Sequence, residues 1–130
     1  MQPVSVHEAR PPGAVAPPKL DVGFRTVGST LVLAVGGEID LETAPSLTAA
    51  VTARIDHGPC VLDLTEVTFL GATGLTTLLN LAAYADRRQR RLPIVVDANR
   101  RVIRPLQITG LDEELTLFHT VDEAINAGER

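Results

Sequence analysis

The chain of 130 residues has no tryptophan, one tyrosine, one cysteine and one lysine. The single Cys60 excludes an internal disulfide framework and any cysteine-rich metal site. Aromatics at 3% are poor material for stacking unpaired bases or for a sugar platform. The net charge of −4 opposes a general attraction to nucleic acid, so no direct nucleic-acid binding is expected. No run approaches the roughly 20 apolar residues of a membrane helix, and no membrane association is expected. The N-terminus lacks the basic and apolar segments of a secretory signal, which makes the cytoplasm the expected location.

Catalytic and metal chemistry also lack their signatures. His7, His57 and His119 lie far apart, and neither His-x-x-x-His nor Cys-x-x-Cys occurs. No metal or cofactor is expected. There is no Gly-x-Ser-x-Gly, no Walker A motif and no Gly-x-Gly-x-x-Gly. Cys60 opens an apolar run and reads as a small buried hydrophobe. Asp63 and Glu66 are close carboxylates, but a loop at a strand end explains them equally well. An enzyme is not expected.

What is present suits one domain with its own core, since 45% of residues are hydrophobic. Five of the nine prolines fall in residues 1–19, where apolar residues show no period; this reads as a flexible tail. The domain is expected over 20–128. Residues 20–27 and 30–37 read as strands joined at Gly28-Ser29, with Gly36-Gly37 breaking the second. Thr43 and Pro45 suit the start of a helix carrying Leu47, Ala50, Val51 and Ile55, stopped by Gly58-Pro59. Cys60–Leu64 reads as a short strand, 65–72 as a loop, and Thr73 as the opening of a helix that runs to about Arg91. Ile94–Val96 is a strand, Val102, Ile103 and Leu106 mark a helix closed by Gly110, and a strand at Leu115–Phe118 precedes a helix at 121–127. The order β-β-α-β-α-β-α-β-α implies an α/β fold with a mixed sheet and right-handed parallel crossovers.

Two features stand out. Arg87, Arg88, Arg90, Arg91, Arg100, Arg101 and Arg104 flank the strand at 94–97. A solvated face at a helix C-terminus accounts for them, and contact with an acidic protein partner is the functional alternative. The segment Leu64 to Leu75 runs from a strand through Gly71-Ala72 into a helix at Thr73-Gly74. Thr73 serves there either as a plain cap or as part of an exposed loop where a hydroxyl is modified or a partner docks.

Three segments together resemble the STAS domain of bacterial anti-sigma factor antagonists. Gly37-Glu38-Ile39-Asp40-Leu41-Glu42-Thr43-Ala44 is similar to the family's G-E-(L/I)-D-x-x-(T/N)-A. Leu62-Asp63-Leu64-Thr65-Glu66-Val67-Thr68-Phe69-Leu70-Gly71-Ala72-Thr73-Gly74-Leu75 is similar to D-L-S-x-V-x-F-(L/M/I)-D-S-(S/T)-G-L. Thr109 to Ala124 resembles the closing segment, through Gly110-Leu111, Leu115, Phe118, Thr120 and Asp122-Glu123-Ala124. The resemblance implies a mixed β-sheet packed on a layer of helices, and binding to an anti-sigma factor that is also a serine kinase. In such proteins the first serine of D-S-(S/T)-G-L is phosphorylated and binding is lost. Here that serine is Ala72 and the preceding aspartate is Gly71. Either the switch has moved to Thr73, or it is lost and control lies elsewhere. The implied partner surface is Gly71, Ala72, Thr73, Gly74, Leu75 and Thr76 with the adjacent turn of Asp40, Glu42 and Thr43. The rivals are a STAS subunit of a transport or signalling assembly and, more remotely, a small-molecule or nucleotide-binding domain at Thr73-Gly74. A homodimer is left open.

Overall fold

In the computed structural model, which describes residues 19–128, β1 (Leu20–Val27) turns back at Gly28-Ser29 and pairs antiparallel with β2 (Thr30–Ile39). The chain then alternates: α1 (Ala44–Thr52), β3 (Cys60–Leu70), α2 (Ala72–Arg87), β4 (Ile94–Val95), α3 (Arg100–Thr109), a 3-10 turn at Leu111–Glu113, β5 (Leu117–Phe118) and α4 (Val121–Gly128). The sheet order is β1-β2-β3-β4-β5, and β2 to β5 pair in parallel. The expected element order and mixed α/β sheet are therefore present. Of the tail expected over 1–19, residues 1–18 lie outside the described residues.

Parallel strands in succession carry their crossover helices on one side. Leu47 and Val51 of α1, Leu78 and Leu81 of α2, and Val102 and Leu106 of α3 meet Leu33, Leu62, Leu64 and Ile94 of the sheet in the main core. The other face is smaller. Val32, Val61 and Val95 are covered by Ala124 of α4, with Val121 and Ile125 beside it. The helices thus form a layer of three on one face with a fourth, short helix on the opposite face. The valines at alternate sheet positions are the reason: they give the central strands a second apolar side that water would otherwise meet.

Strand ends differ most from expectation. Gly36-Gly37 does not break β2, and 65–70 is not a loop; both strands run on together to Ile39 and Leu70. The pairing slips between Ala34 and Gly36 and again between Gly37 and Glu38, so β3 carries extra residues at both points. Gly37 takes a φ of +93, and a side chain there would overlap the Lys19 carbonyl, which accepts the Glu38 amide at 2.7 Å. Bulges free backbone carbonyls, and Asn99 collects them. Its amide nitrogen donates to the carbonyls of Leu64 (2.9 Å), Thr65 (3.2 Å) and Val67 (2.8 Å). Its oxygen accepts the Arg101 amide and caps α3. One side chain therefore ties the distorted stretch of β3 to the start of α3. Asp63 and Glu66 sit within β3, where Asp63 accepts the Thr65 amide and Glu66 is exposed.

Candidate functional site

Because β2 and β3 are parallel neighbours, the segments that follow them emerge at one end of the sheet. Ile39 pairs with Leu70, and the Gly71 amide donates to the Ile39 carbonyl at 3.1 Å. The turn Asp40–Thr43 and the start of α2 are thereby held side by side, as parallel pairing of β2 and β3 requires.

The turn is built from its own polar groups. The Asp40 carboxylate accepts the amides of Glu42 (3.0 Å) and Thr43 (3.1 Å). The Thr43 hydroxyl donates to the Glu38 carbonyl at 2.7 Å and accepts the Asp40 amide at 3.0 Å. Thr43 stands at the N-cap position of α1, but its hydroxyl does not cap the helix; it is held by the turn through the Glu38 carbonyl and the Asp40 amide. Thr43 is buried and so shapes this face without presenting itself to a partner. Lys19, assigned by sequence to the tail, closes the turn from outside. Its ammonium lies 2.7 Å from Asp40 and 2.9 Å from Glu42, with Glu38 at 3.9 Å. That hydrogen bond is the main reason the Asp40 carboxyl titrates below its ordinary range, and the paired carboxylates push the lysine upward. Glu42 and Leu41 project into solvent.

Helix α2 begins at Ala72, one residue before the expected start, with Gly71 at the N-cap. No side chain caps it and no acid lies in its first turn. Thr73 is therefore neither the cap nor fully exposed: it lies half-buried inside the first turn. Ala72 and Thr76 are exposed, and Leu75 is half-buried. Gly74 is buried for a steric reason. A Cβ there would come within 2.7 Å of both the Ile39 carbonyl and Leu70 Cδ1. Its missing side chain is what lets α2 sit against the ends of β2 and β3, so Gly74 too shapes the face from beneath. Gly71 lies under the Phe69 ring, which a Cβ would meet at 3.0 Å.

Sequence reasoning missed three residues here. The large apolar side chains left exposed among the described residues are Leu41 (78%), Phe69 (50%) and Ile108 (71%). Leu41 stands on the turn beside Asp40, while Phe69 and Ile108 line one groove with Leu75. Their shared signal in the sequence is only an apolar residue out of period. Among the described residues, no three metal-ligating side chains gather, and no helix is long and apolar enough to cross a membrane.

The model of the STAS domain matches residues 22–124. The chain belongs to the STAS domain family. Among its relatives, the anti-sigma-F factor antagonist RsfB of Mycobacterium tuberculosis is 35% identical over 113 residues, 85% of this chain and 90% of that protein. The anti-sigma-B factor antagonist of Listeria monocytogenes is 35% identical over 92 residues, 68% of this chain and 79% of that protein. The crystal structure of an anti-sigma factor antagonist from Mycobacterium paratuberculosis superposes with a TM-score of 0.74 at 33% identity, covering 88% of this chain and 98% of that one. Unphosphorylated SpoIIAA, at 18% identity and a TM-score of 0.65 over 84% of this chain and 96% of its own, shares the STAS fold. The named STAS relatives are antagonists of other proteins, a regulatory binding role and not a catalytic one.

Proposed function

We propose that this STAS protein is a cytoplasmic anti-sigma factor antagonist. It binds an anti-sigma factor of the serine-kinase type and so releases a sigma factor for transcription. The docking face comprises the exposed Leu41 and Glu42 of the turn, and Ala72, Thr73, Leu75 and Thr76 of α2. The observation that carries this reading is the apolar surface at that end of the sheet: the exposed Leu41 and Phe69, with the half-buried Leu75, lie beside the motif residues. Solvent-exposed large hydrophobes are common singly, whereas a group around one loop marks a contact surface.

Ala72 has no hydroxyl, so phosphate cannot be placed there, and binding is not switched off at that position. Thr73 is the remaining phosphoacceptor of the motif. An added phosphate would bring about −1.5 to −2 charges to the uncapped start of α2. The fold would accept it, because helix N-termini favour anions. A closely packed partner would not.

The test is calorimetry of the purified chain against each kinase-like anti-sigma factor of its own genome, with ATP, followed by mass spectrometry. Tight binding by the parent, with Ala72→Ser phosphorylated at residue 72, supports the reading. Binding by no such protein, with capture of transport-complex subunits instead, overturns it.

A further inference from the structure

The arginines grouped together by sequence divide into two sets with opposite electrostatics. Arg87, Arg88, Arg90 and Arg91 stand at or beyond the C-terminus of α2, where cations complement the helix dipole. Arg88 also pairs with Asp56, whose backbone carbonyl accepts from Arg90 at 2.7 Å. Arg100, Arg101 and Arg104 are placed oppositely. They occupy the N-terminal half of α3: Arg100 and Arg101 lie in its first turn, where the dipole repels cations, and no acid lies there. Arg100 and Arg104 are one turn apart on the same face, a second repulsion. All three are exposed, and among the described residues none has a carboxylate within 4.0 Å. The fold gains nothing from them locally.

What they border is apolar. The three arginines rim a shallow groove of about 520 Å³ floored by Phe69, Leu70, Leu75, Pro105 and Ile108. The opposite, buried face of α3 is taken up by Val102 and Leu106, so the arginine face is free of the core. Leu75 and Phe69 make the groove continuous with the proposed docking face. A cationic rim over an apolar floor complements a segment that carries leucine-like side chains flanked by carboxylates. Residues 1–18 of this chain do not match that description, since Glu8 is their only acid.

We propose that the groove between the end of β3 and α3 receives an acidic amphipathic segment of the anti-sigma factor, with Arg100, Arg101 and Arg104 reading its carboxylates. This rests on the antagonist reading and adds to it the chemistry of the partner's contact. The arginines act on association rate and its salt dependence, as rim charges do, while Phe69 and Ile108 anchor the segment.

The experiment measures binding kinetics of the anti-sigma factor to the parent, Ala72→Asp, Arg101→Glu/Arg104→Glu, Arg101→Lys/Arg104→Lys and the distant Arg87→Glu. The charge-reversed pair should associate roughly tenfold more slowly or worse at 50 mM salt, with the difference shrinking at 500 mM. The lysine pair should keep most of the rate, and Arg87→Glu all of it. The reversed pair should also melt about 1–5 °C higher, because acids replace cations near a helix N-terminus. Weaker binding by a more stable protein is a split that a structural role cannot produce. In parallel, the labelled full chain is titrated by NMR with a helical Leu/Glu peptide and its Leu/Lys counterpart. Shifts at Phe69, Leu75, Arg104 and Ile108 with the Glu peptide alone are expected.

Unchanged kinetics of the reversed pair beside a failing Ala72→Asp overturn the groove and spare the antagonist reading. Failure of every variant and the parent to bind overturns that reading, and the peptide titration then decides the groove by itself. Equal shifts with both peptides overturn the proposal. So does dimerisation lost in the reversed pair, or binding to vesicles of anionic lipid, since these assign the groove to a second copy or to a membrane.

Discussion

Replacing Gly74 by alanine sets two effects of known sign against each other. In an open helix the change is favourable by about 1 kcal/mol, since glycine is the poorer helix former. At this position the new Cβ meets the Ile39 carbonyl and Leu70 Cδ1 at 2.7 Å and Ile39 Cγ2 at 3.0 Å. Leu70 can turn aside, but the carbonyl belongs to the strand end that also accepts the Gly71 amide. It cannot retreat without loosening that hydrogen bond. Overpacking of this kind costs about 1–3 kcal/mol, and a backbone obstacle puts it in the upper part of that range. The net expectation is destabilisation by about 1–2 kcal/mol, or roughly 4–12 °C in melting temperature for a domain of this size. α2 should also lift away from β2 and carry Ala72 and Thr73 out of line with the Asp40–Thr43 turn. Thermal denaturation of Gly74→Ala measures the first effect and partner affinity the second. A variant as stable as the parent, or more so, would show that α2 does not approach the strand ends this closely.

Other perturbations are calculable in the same way. Leu78 is wholly buried between α2 and the sheet, so Leu78→Ala should cost about 2–5 kcal/mol in urea unfolding; a loss below about 0.5 kcal/mol refutes the packing. Asn99→Ala removes the α3 cap and three donations to bulge carbonyls, for roughly 2–4 kcal/mol. Asn99→Asp keeps the cap but turns an acceptor on those carbonyls, and should be no better than alanine; full stability of either variant contradicts the tie. Asp40 is held below its unfolded value of about 3.9, chiefly by Lys19. A depressed carboxyl stabilises the fold above its unfolded value and ceases to as the pH falls through its folded one. Urea midpoints should therefore fall more steeply below about pH 4 in the parent than in Asp40→Asn, with a constant difference above about pH 5. Parallel curves throughout would show that the Lys19 contact is not formed in solution.

The order of elements was legible because strand and helix periods alternate cleanly and Gly58-Pro59, Pro93 and Gly110 punctuate them. The strand ends were not. Gly36-Gly37 has the composition of a break, yet β2 continues because glycine tolerates the bulged pairing with β3 that Asn99 then satisfies from 32 to 35 residues away. Local pattern carries no trace of a partner so distant. Thr73 looked like a cap because hydroxyls favour that position; the helix starts earlier because Gly71 is drawn onto the Ile39 carbonyl by the sheet. At the candidate site, the motif gathers residues from one end of the sheet but mixes two kinds. Thr43 and Gly74 build the surface from within, and Leu41 and Glu42 present it. Lys19 was lost to the tail by its proline-rich surroundings, and the arginines were read as one group since the sequence does not reveal which helix end each of them faces.

The central claim is that the Ala72–Thr76 face meets an anti-sigma factor, and one comparison addresses it most directly. Ala72→Asp and Thr73→Glu each add a charge at the start of α2, where the helix dipole should leave the fold intact. Circular dichroism and melting temperature should hardly change, and calorimetric affinity for the anti-sigma factor should fall steeply, since the added charge would be desolvated without a partner in the contact. Full affinity in both charged variants would contradict the account, because that face would then lie outside the interface.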